Sequence, residues 1–326
     1  DPSEQMPPPE SNLKLLDFEI ELIKKWIEQG AAYEPHWAFV KPEKKQIPEA
    51  PDWARNEIDH FTWKKMKEKG LEPNPEAEDY ELIKRASLDL TGLPPSPEIL
   101  ERYQGFEGEN TYEDLLNNLL SEQSFGEKLA ILWLDISRYS DSYGYQDDNI
   151  RTQWPYRDWL IHAFNNNLPY DQFITWQLAG DLLPNPTKET ILATAFNRNH
   201  KYTEEGGVID EEYRIEYVLD KTNTFSTGVL GITMECAQCH DHKYDPFSQK
   251  EYFELFAFFN NSREKGFEGD VSVSKPAKTP ILWVEQEDLG GILDFINHPD
   301  TTKLSISVMG ELDEQEARTT YILDRG

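Results

Sequence analysis

The sequence predicts a mainly α-helical protein, an irregular multi-helix domain with a short two-stranded β element near the C-terminus. Three observations lead there. Apolar residues recur at helical spacing from about residue 17 to residue 259. Ser, Thr or Asp stands before several of these runs, often with Asp or Glu three residues later, the pattern of a capped helix start. Beyond residue 300 the period changes: Leu304, Ile306 and Val308 alternate with polar residues, as do Tyr321 and Leu323, and these read as two strands.

Taken in order, Asp17 is placed to cap a helix that runs to about Gly30. Phe18, Leu22, Ile23, Trp26 and Ile27 form its apolar stripe, and Glu19 and Glu21 favour its positive N-terminal end. Residues 34–52 carry Pro35, Pro42, Pro48 and Pro51 and little periodicity, so they read as an extended linker, with Trp37 and Phe39 as its anchors. Helices follow near 55–69, stopped by Gly70, and 77–90, stopped before Thr91-Gly-Leu-Pro-Pro95. Ser96 caps 97–104 with Pro97 at its first position. Thr111 and Asp114 form a capping box for 112–122, and Ser124 and Glu127 resemble one for the next helix. Further helices lie near 155–166, 170–179 and 188–197. A long one near 209–228 carries Ile215, Val218, Leu219 and Phe225 at helical spacing. Ser248 and Glu251 open 249–259.

With 326 residues, 38% of them apolar, the chain can bury one or two sizeable cores. The formal charge, 32 − 61 = −29, disfavours nucleic acid and anionic membrane surfaces as partners. It suits a solvated protein, cationic partners or bound calcium. No stretch of about 18 apolar residues is present, so no transmembrane segment is expected. The chain starts at Asp1 with no initiator Met and ends at Gly326 with no stop signal for a fold. It therefore reads as an internal piece of a longer protein.

Both cysteines stand in Cys236-Ala-Gln-Cys239-His240. This is the spacing that attaches a c-type haem: two thiols on one turn reach two vinyl groups, and the next imidazole lies under the iron as proximal ligand. Three other uses of the pattern stay open. A redox pair is one, although no βαβ unit surrounds it. A zinc site is another, although His240 and His242 crowd the same few residues. The third is a strained disulfide.

Acidic residues gather twice. Asp135, Asp141, Asp147 and Asp148 surround a run with Tyr139, Tyr143, Tyr145, Trp154 and Tyr156, and Glu204, Glu205, Asp210, Glu211 and Glu212 flank Gly206-Gly207. Such carboxylates can hold calcium or act on a sugar, and the aromatic rings add polysaccharide contact to the expectations. The spacing is not that of an EF-hand. With 61 acidic residues such clusters arise by chance, and a solvated surface is the simpler reading of them.

Several stretches together resemble the planctomycete-type cytochrome c family, large secreted domains of undefined biochemistry. They are Arg85-Ala-Ser-Leu-Asp-Leu-Thr-Gly-Leu-Pro-Pro95, Trp154-Pro-Tyr-Arg-Asp-Trp159, Pro169-Tyr-Asp-Gln-Phe173, Gln177-Leu-Ala-Gly-Asp181, Glu204-Glu-Gly-Gly207, Glu211-Glu-Tyr-Arg214 and Cys236 to Pro246. The resemblance implies helices packed around one covalent haem c, matured in the periplasm or outside the cell. It supplies no reaction, so whether the protein is an enzyme stays open. It implies a division into the tail of a small class I cytochrome c domain (1–33), a linker (34–52), the haem domain (53–265) and a segment leading into a further domain (266–326). In such a tail Met6 is the distal ligand of an upstream haem. For the haem at His240 the resemblance favours His200 as distal ligand, ahead of Met234, His242 and the mid-helix His162. A packed, structural histidine is the other reading of His200. Arg157 and Arg214 are expected to pair with haem propionates or with carboxylates. A His/His haem lies at lower potential than a His/Met haem, so electrons would pass from this haem to an upstream cytochrome domain or another redox partner protein.

Overall fold

The chain divides into two units, residues 1–76 and 77–326. The computed structural model describes residues 7, 11, 13–34, 36–106, 111–269, 273–296 and 303–324. Met6 lies outside the described residues.

In the first unit, α1 spans Asp17–Glu28 and α2 spans Glu57–Glu68. The cap of α1 is Leu16 rather than Asp17. Glu19 reaches back to accept from the Leu16 amide at 2.7 Å, which Asp17, one residue inside, cannot do. The expected stripe is present on α1, but Phe18, Leu22, Ile23, Trp26 and Ile27 stay between 43% and 65% exposed. Trp37 is 80% exposed and its ring lies against the neighbouring His36. The linker is instead fastened to α2, where His60 Nδ1 donates to the Pro48 carbonyl at 2.7 Å and Trp63 lies against Trp53.

The second unit is helical with one strand pair. Its first layer is α3 (Asp79–Thr91), α4 (Pro97–Tyr103) and α5 (Tyr112–Leu120), closed around Ile83, Tyr103, Leu115 and Leu119. The Ser96 cap and the Thr111–Asp114 box form as expected. Helix α6 (Gln123–Ile136) starts at Glu122 without a side-chain cap. Ser124 turns its hydroxyl to the Glu122 carboxylate and leaves the expected box unmade.

The main core lies under α6, α7 (Trp154–Asn165), α8 (Tyr170–Ala179) and α9 (Lys188–Ala193). Trp159 is fully buried and stacks on Phe173 at 5.7 Å. Gly126 sets the approach of α6 to α7: a Cβ there would stand 2.6 Å from the Ile161 carbonyl oxygen. The helix expected over 188–197 stops at Ala193 and tightens into a 3-10 turn, Thr194–Arg198, whose Asn197 amide donates to the Gln177 carbonyl.

Helix α10 (Asp210–Phe225) runs into a π turn at Ser226–Leu230, and α11 (Gln249–Asn260) begins at the Ser248–Glu251 capping box. Strands β1 (Ile281–Glu285) and β2 (Lys303–Ser307) pair antiparallel, Leu282 opposite Ile306 and Val284 opposite Leu304, with the short helix α12 (Gln286–Leu289) between them. The strand expected near Tyr321 does not form. The partner of β2 is the apolar run after Pro280, whose inward residues Leu282 and Val284 complete the Trp159 core. Among the described residues no helix is long and apolar enough to cross a membrane.

Candidate functional site

Two places in the second unit gather chemistry-bearing side chains, and α10 serves both. On one face Val218 and Leu219 join Met234, Ala237, Tyr252, Phe253 and Phe256 in a compact cluster. This cluster grips the 3-10 turn Glu235–Gln238 from below, through Met234 and Ala237. Cys236, Cys239 and His240 stand on the outer side, exposed, and the two cysteines are not disulfide-bonded. The turn is tied to α11 by Gln249, whose amide nitrogens donate to the Gln238 carbonyl and the Asp241 carboxylate. His240 Nδ1 lies 2.7 Å from the Asp241 carbonyl, which can only accept, so Nδ1 carries the proton and Nε2 is left with its lone pair. A ligating imidazole is oriented in this way.

These residues fit a covalent haem: two accessible thiols on one turn, and an adjacent imidazole with the correct nitrogen available. They fit zinc less well. Among the described residues, no three His, Cys, Asp or Glu side chains converge as ion ligands do. His242 holds its own loop, its Nδ1 accepting from the Asp245 amide at 2.9 Å, and Met234 is packed in the core.

His200 is elsewhere. It follows the 3-10 turn at Thr194–Arg198 and is 2% exposed. Its Nδ1 donates to the Lys201 carbonyl at 2.6 Å, its ring stacks on Tyr217 at 4.5 Å, and Nε2 faces Glu264 Oε1 at 2.8 Å, off the hydrogen-bond line. Ligation of iron by His200 requires it to leave these partners. Glu264 is also 2.9 Å from Arg198 Nε and is bonded by Lys221 Nζ. Burial alone would raise the Glu264 carboxyl, but Arg198, His200 and Lys221 outweigh it and hold the group well below the carboxylate range. Burial pulls His200 below its ordinary 6.5, with Lys221 adding to the effect and Glu264 opposing it.

On the other face of α10, Glu216, Tyr217 and Asp220 form one wall of a cleft of about 430 Å³. The opposite walls are the loop from Arg138 to Tyr145 and the segment Asn199–Lys201. Arg151, 4% exposed, fixes both by donating to the carbonyls of Ser140, Asn199 and His200. Arg138 ends α6 as the left-handed residue of a Schellman motif: its φ is 57°, Tyr139 N–H reaches the Leu134 carbonyl, and Arg138 N–H reaches that of Asp135. Glycine normally takes this position, and a side chain there costs about 1–2 kcal/mol. The guanidinium lies 2.8 Å from Asp220 but makes no directed hydrogen bond. Asn199, 1% exposed, has neither amide atom bonded.

The two acidic stretches meet. Asn149 and Gln146 donate to Glu204 and Glu205, and Glu204 is further bonded by Ser274 and Lys278. Glu204 therefore serves an internal ion pair. Arg214 pairs with Glu211 at 2.7 Å and bonds Asn260, Arg157 pairs with Asp158, and His162 stacks on Phe295.

A family profile described as PSCyt2, protein of unknown function (DUF1549), matches residues 57–264, well over half of the chain. The chain belongs to the PSCyt2 family. The match takes in the Cys236–His240 turn and all the cleft residues named above, and it ends on the buried Glu264. Residues 1–33 of this PSCyt2 chain fall outside it. No curated protein and no solved structure matches the chain. Sequence reasoning found the PSCyt2 thiol turn and His200 but missed Arg138, Asn199, Lys221 and Glu264. The cleft had one legible signal, the dense run of Ser, Tyr and Arg between Ser137 and Arg151.

Proposed function

We propose that this protein carries one covalent haem c on the Cys236–His240 turn and transfers electrons in the periplasm or outside the cell. One observation carries the reading: two thiols and an imidazole lie exposed on a turn whose inner side is locked into the core, with the His240 Nδ1 proton committed to a backbone carbonyl. The haem would supply one-electron transfer. The chain's part is to hold the three donors in register and to fix the imidazole tautomer. The acidic surface favours a cationic redox partner, and an upstream cytochrome domain is the other candidate. Expression in a host that matures c-type cytochromes tests this. The expected product has a Soret band that resists acid–acetone extraction and a mass raised by one haem. A chain of unmodified mass from such a host would overturn the reading.

A second reading rests on the concave wall at Ser140–Tyr145, to which Tyr143 and Tyr145 of the expected aromatic run contribute, while Asp135, Asp141, Asp147 and Asp148 lie outside its lining. There the haem serves a secreted carbohydrate-active or sugar-oxidising complex, and turnover of oligosaccharides distinguishes it from simple electron transfer.

A further inference from the structure

We propose that the cleft between α10, the Arg138–Tyr145 loop and Asn199–Lys201 binds a carboxylate-bearing sugar, a uronic acid residue. This rests on the carbohydrate reading of the cleft and stands whether or not the turn carries haem.

Three features point to such a ligand. The first is Arg138. Its backbone stays in the left-handed region although glycine would relieve it, and strain of this kind persists where the side chain has work to do. Its Nε stands 2.8 Å from Asp220, but none of its guanidinium nitrogens makes a directed hydrogen bond, so the edge formed by the two Nη atoms is the one left for a ligand carboxylate. The second is Asn199. A fully enclosed amide with an unbonded donor and an unbonded acceptor is costly, and in the cleft lining it matches a hydroxyl, which both gives and takes a hydrogen bond.

The third is charge. In a chain of net charge −29, the lining holds Arg138, Arg151 and Lys201 against Glu216 and Asp220, a local excess of one positive charge. That balance suits a monoanion whose hydroxyls can donate to the two carboxylates. The half-exposed Tyr145 ring in the lining has Lys201 Nζ over it at 5.9 Å and Tyr213 edge-on to it, and the part left exposed is an aromatic contact for the C–H side of a pyranose. A volume of about 430 Å³ lies in the small-ligand range and accepts one or two sugar units.

The test is calorimetric titration of the full chain with D-glucuronate, and in parallel with glucose, cellobiose, acetate and glucose 6-sulfate. Glucuronate is expected to bind at least ten-fold more tightly than each of the others. Arg138→Gly is the decisive variant, because glycine suits the left-handed position and the fold should survive. It is expected to keep its melting temperature within a few degrees and to weaken glucuronate at least ten-fold, and Asn199→Ala should weaken it as well. Unchanged glucuronate affinity in folded Arg138→Gly would overturn the proposal. Equal binding of acetate would remove the sugar body, and preferential binding of glucose 6-sulfate would remove the carboxylate. Cellobiose binding without glucuronate binding would end the uronate inference while leaving the carbohydrate reading intact. Binding of neither by the folded protein would end both.

Discussion

The Cys236–His240 turn and the Glu264 cluster use polar side chains in opposite ways. On the turn, thiols and imidazole face solvent and the core touches only Met234 and Ala237. Around Glu264, one carboxylate, an arginine, a lysine and an imidazole are sealed from water within a few ångströms of each other. The first arrangement presents its chemistry to solvent and adds little to the fold. In the second, removing any one charge strands the others in a poor solvent. Stability and ligand chemistry are thus largely separated, and mutations should separate them too.

The largest effect is expected at the sealed cluster. Glu264→Gln leaves Arg198 and Lys221 without their counter-charge and should cost about 3–5 kcal/mol in urea unfolding. A loss under about 1 kcal/mol would mean that the cations find water or another partner, and the contrast would weaken. Acid should act on the same place. Folded His200 binds a proton below its ordinary 6.5, so between that value and its folded pKa the unfolded chain holds the extra proton. Its contribution is complete above pH 6.5 and declines as pH falls. Glu264, also depressed, adds acid sensitivity below 4.5. Melting temperatures recorded from pH 7.5 to 5 should fall with acid, and His200→Gln should flatten that slope.

A smaller effect is expected next to the thiol turn. Ser248→Ala removes the cap of α11, where the Glu251 amide donates to Ser248 Oγ, and should cost about 1 kcal/mol. The smallest concerns the cysteines themselves. The double change Cys236→Ala and Cys239→Ala should move the unfolding free energy of the haem-free chain by less than about 0.5 kcal/mol. The same change should abolish covalent haem entirely. A double variant that unfolds would show that the thiols are structural.

Much of the helical layout was legible because caps and stops are local. Thr111 with Asp114, Ser96 and Ser248 with Glu251 each place a helix start to within a residue. The thiol turn was legible for the same reason, its three groups lying within five residues. The cluster was not. Glu264 sits in a polar stretch with no period, and its partners come from positions 198, 200 and 221, so no window of sequence holds them together. The missing strand failed similarly. Alternation marked β2, but its partner follows Pro280 as a short run whose strand character comes from packing on α9 and the Trp159 core. Arg138 was hidden because nothing in its neighbours announces that a bulky residue will take a glycine's backbone.

Arg198 forms an ion pair with Glu264 and donates from Nη1 to the Val308 carbonyl at 2.8 Å, while the Met309 amide donates to Thr194. Leu282, Val284, Leu304 and Ile306 fill the same core as Trp159. An expression boundary drawn at residue 264, where the recognisable homology stops, would therefore amputate a wall of the hydrophobic interior. The recombinant piece should be sticky and poorly soluble, and the shortest well-behaved product should extend at least through Met309.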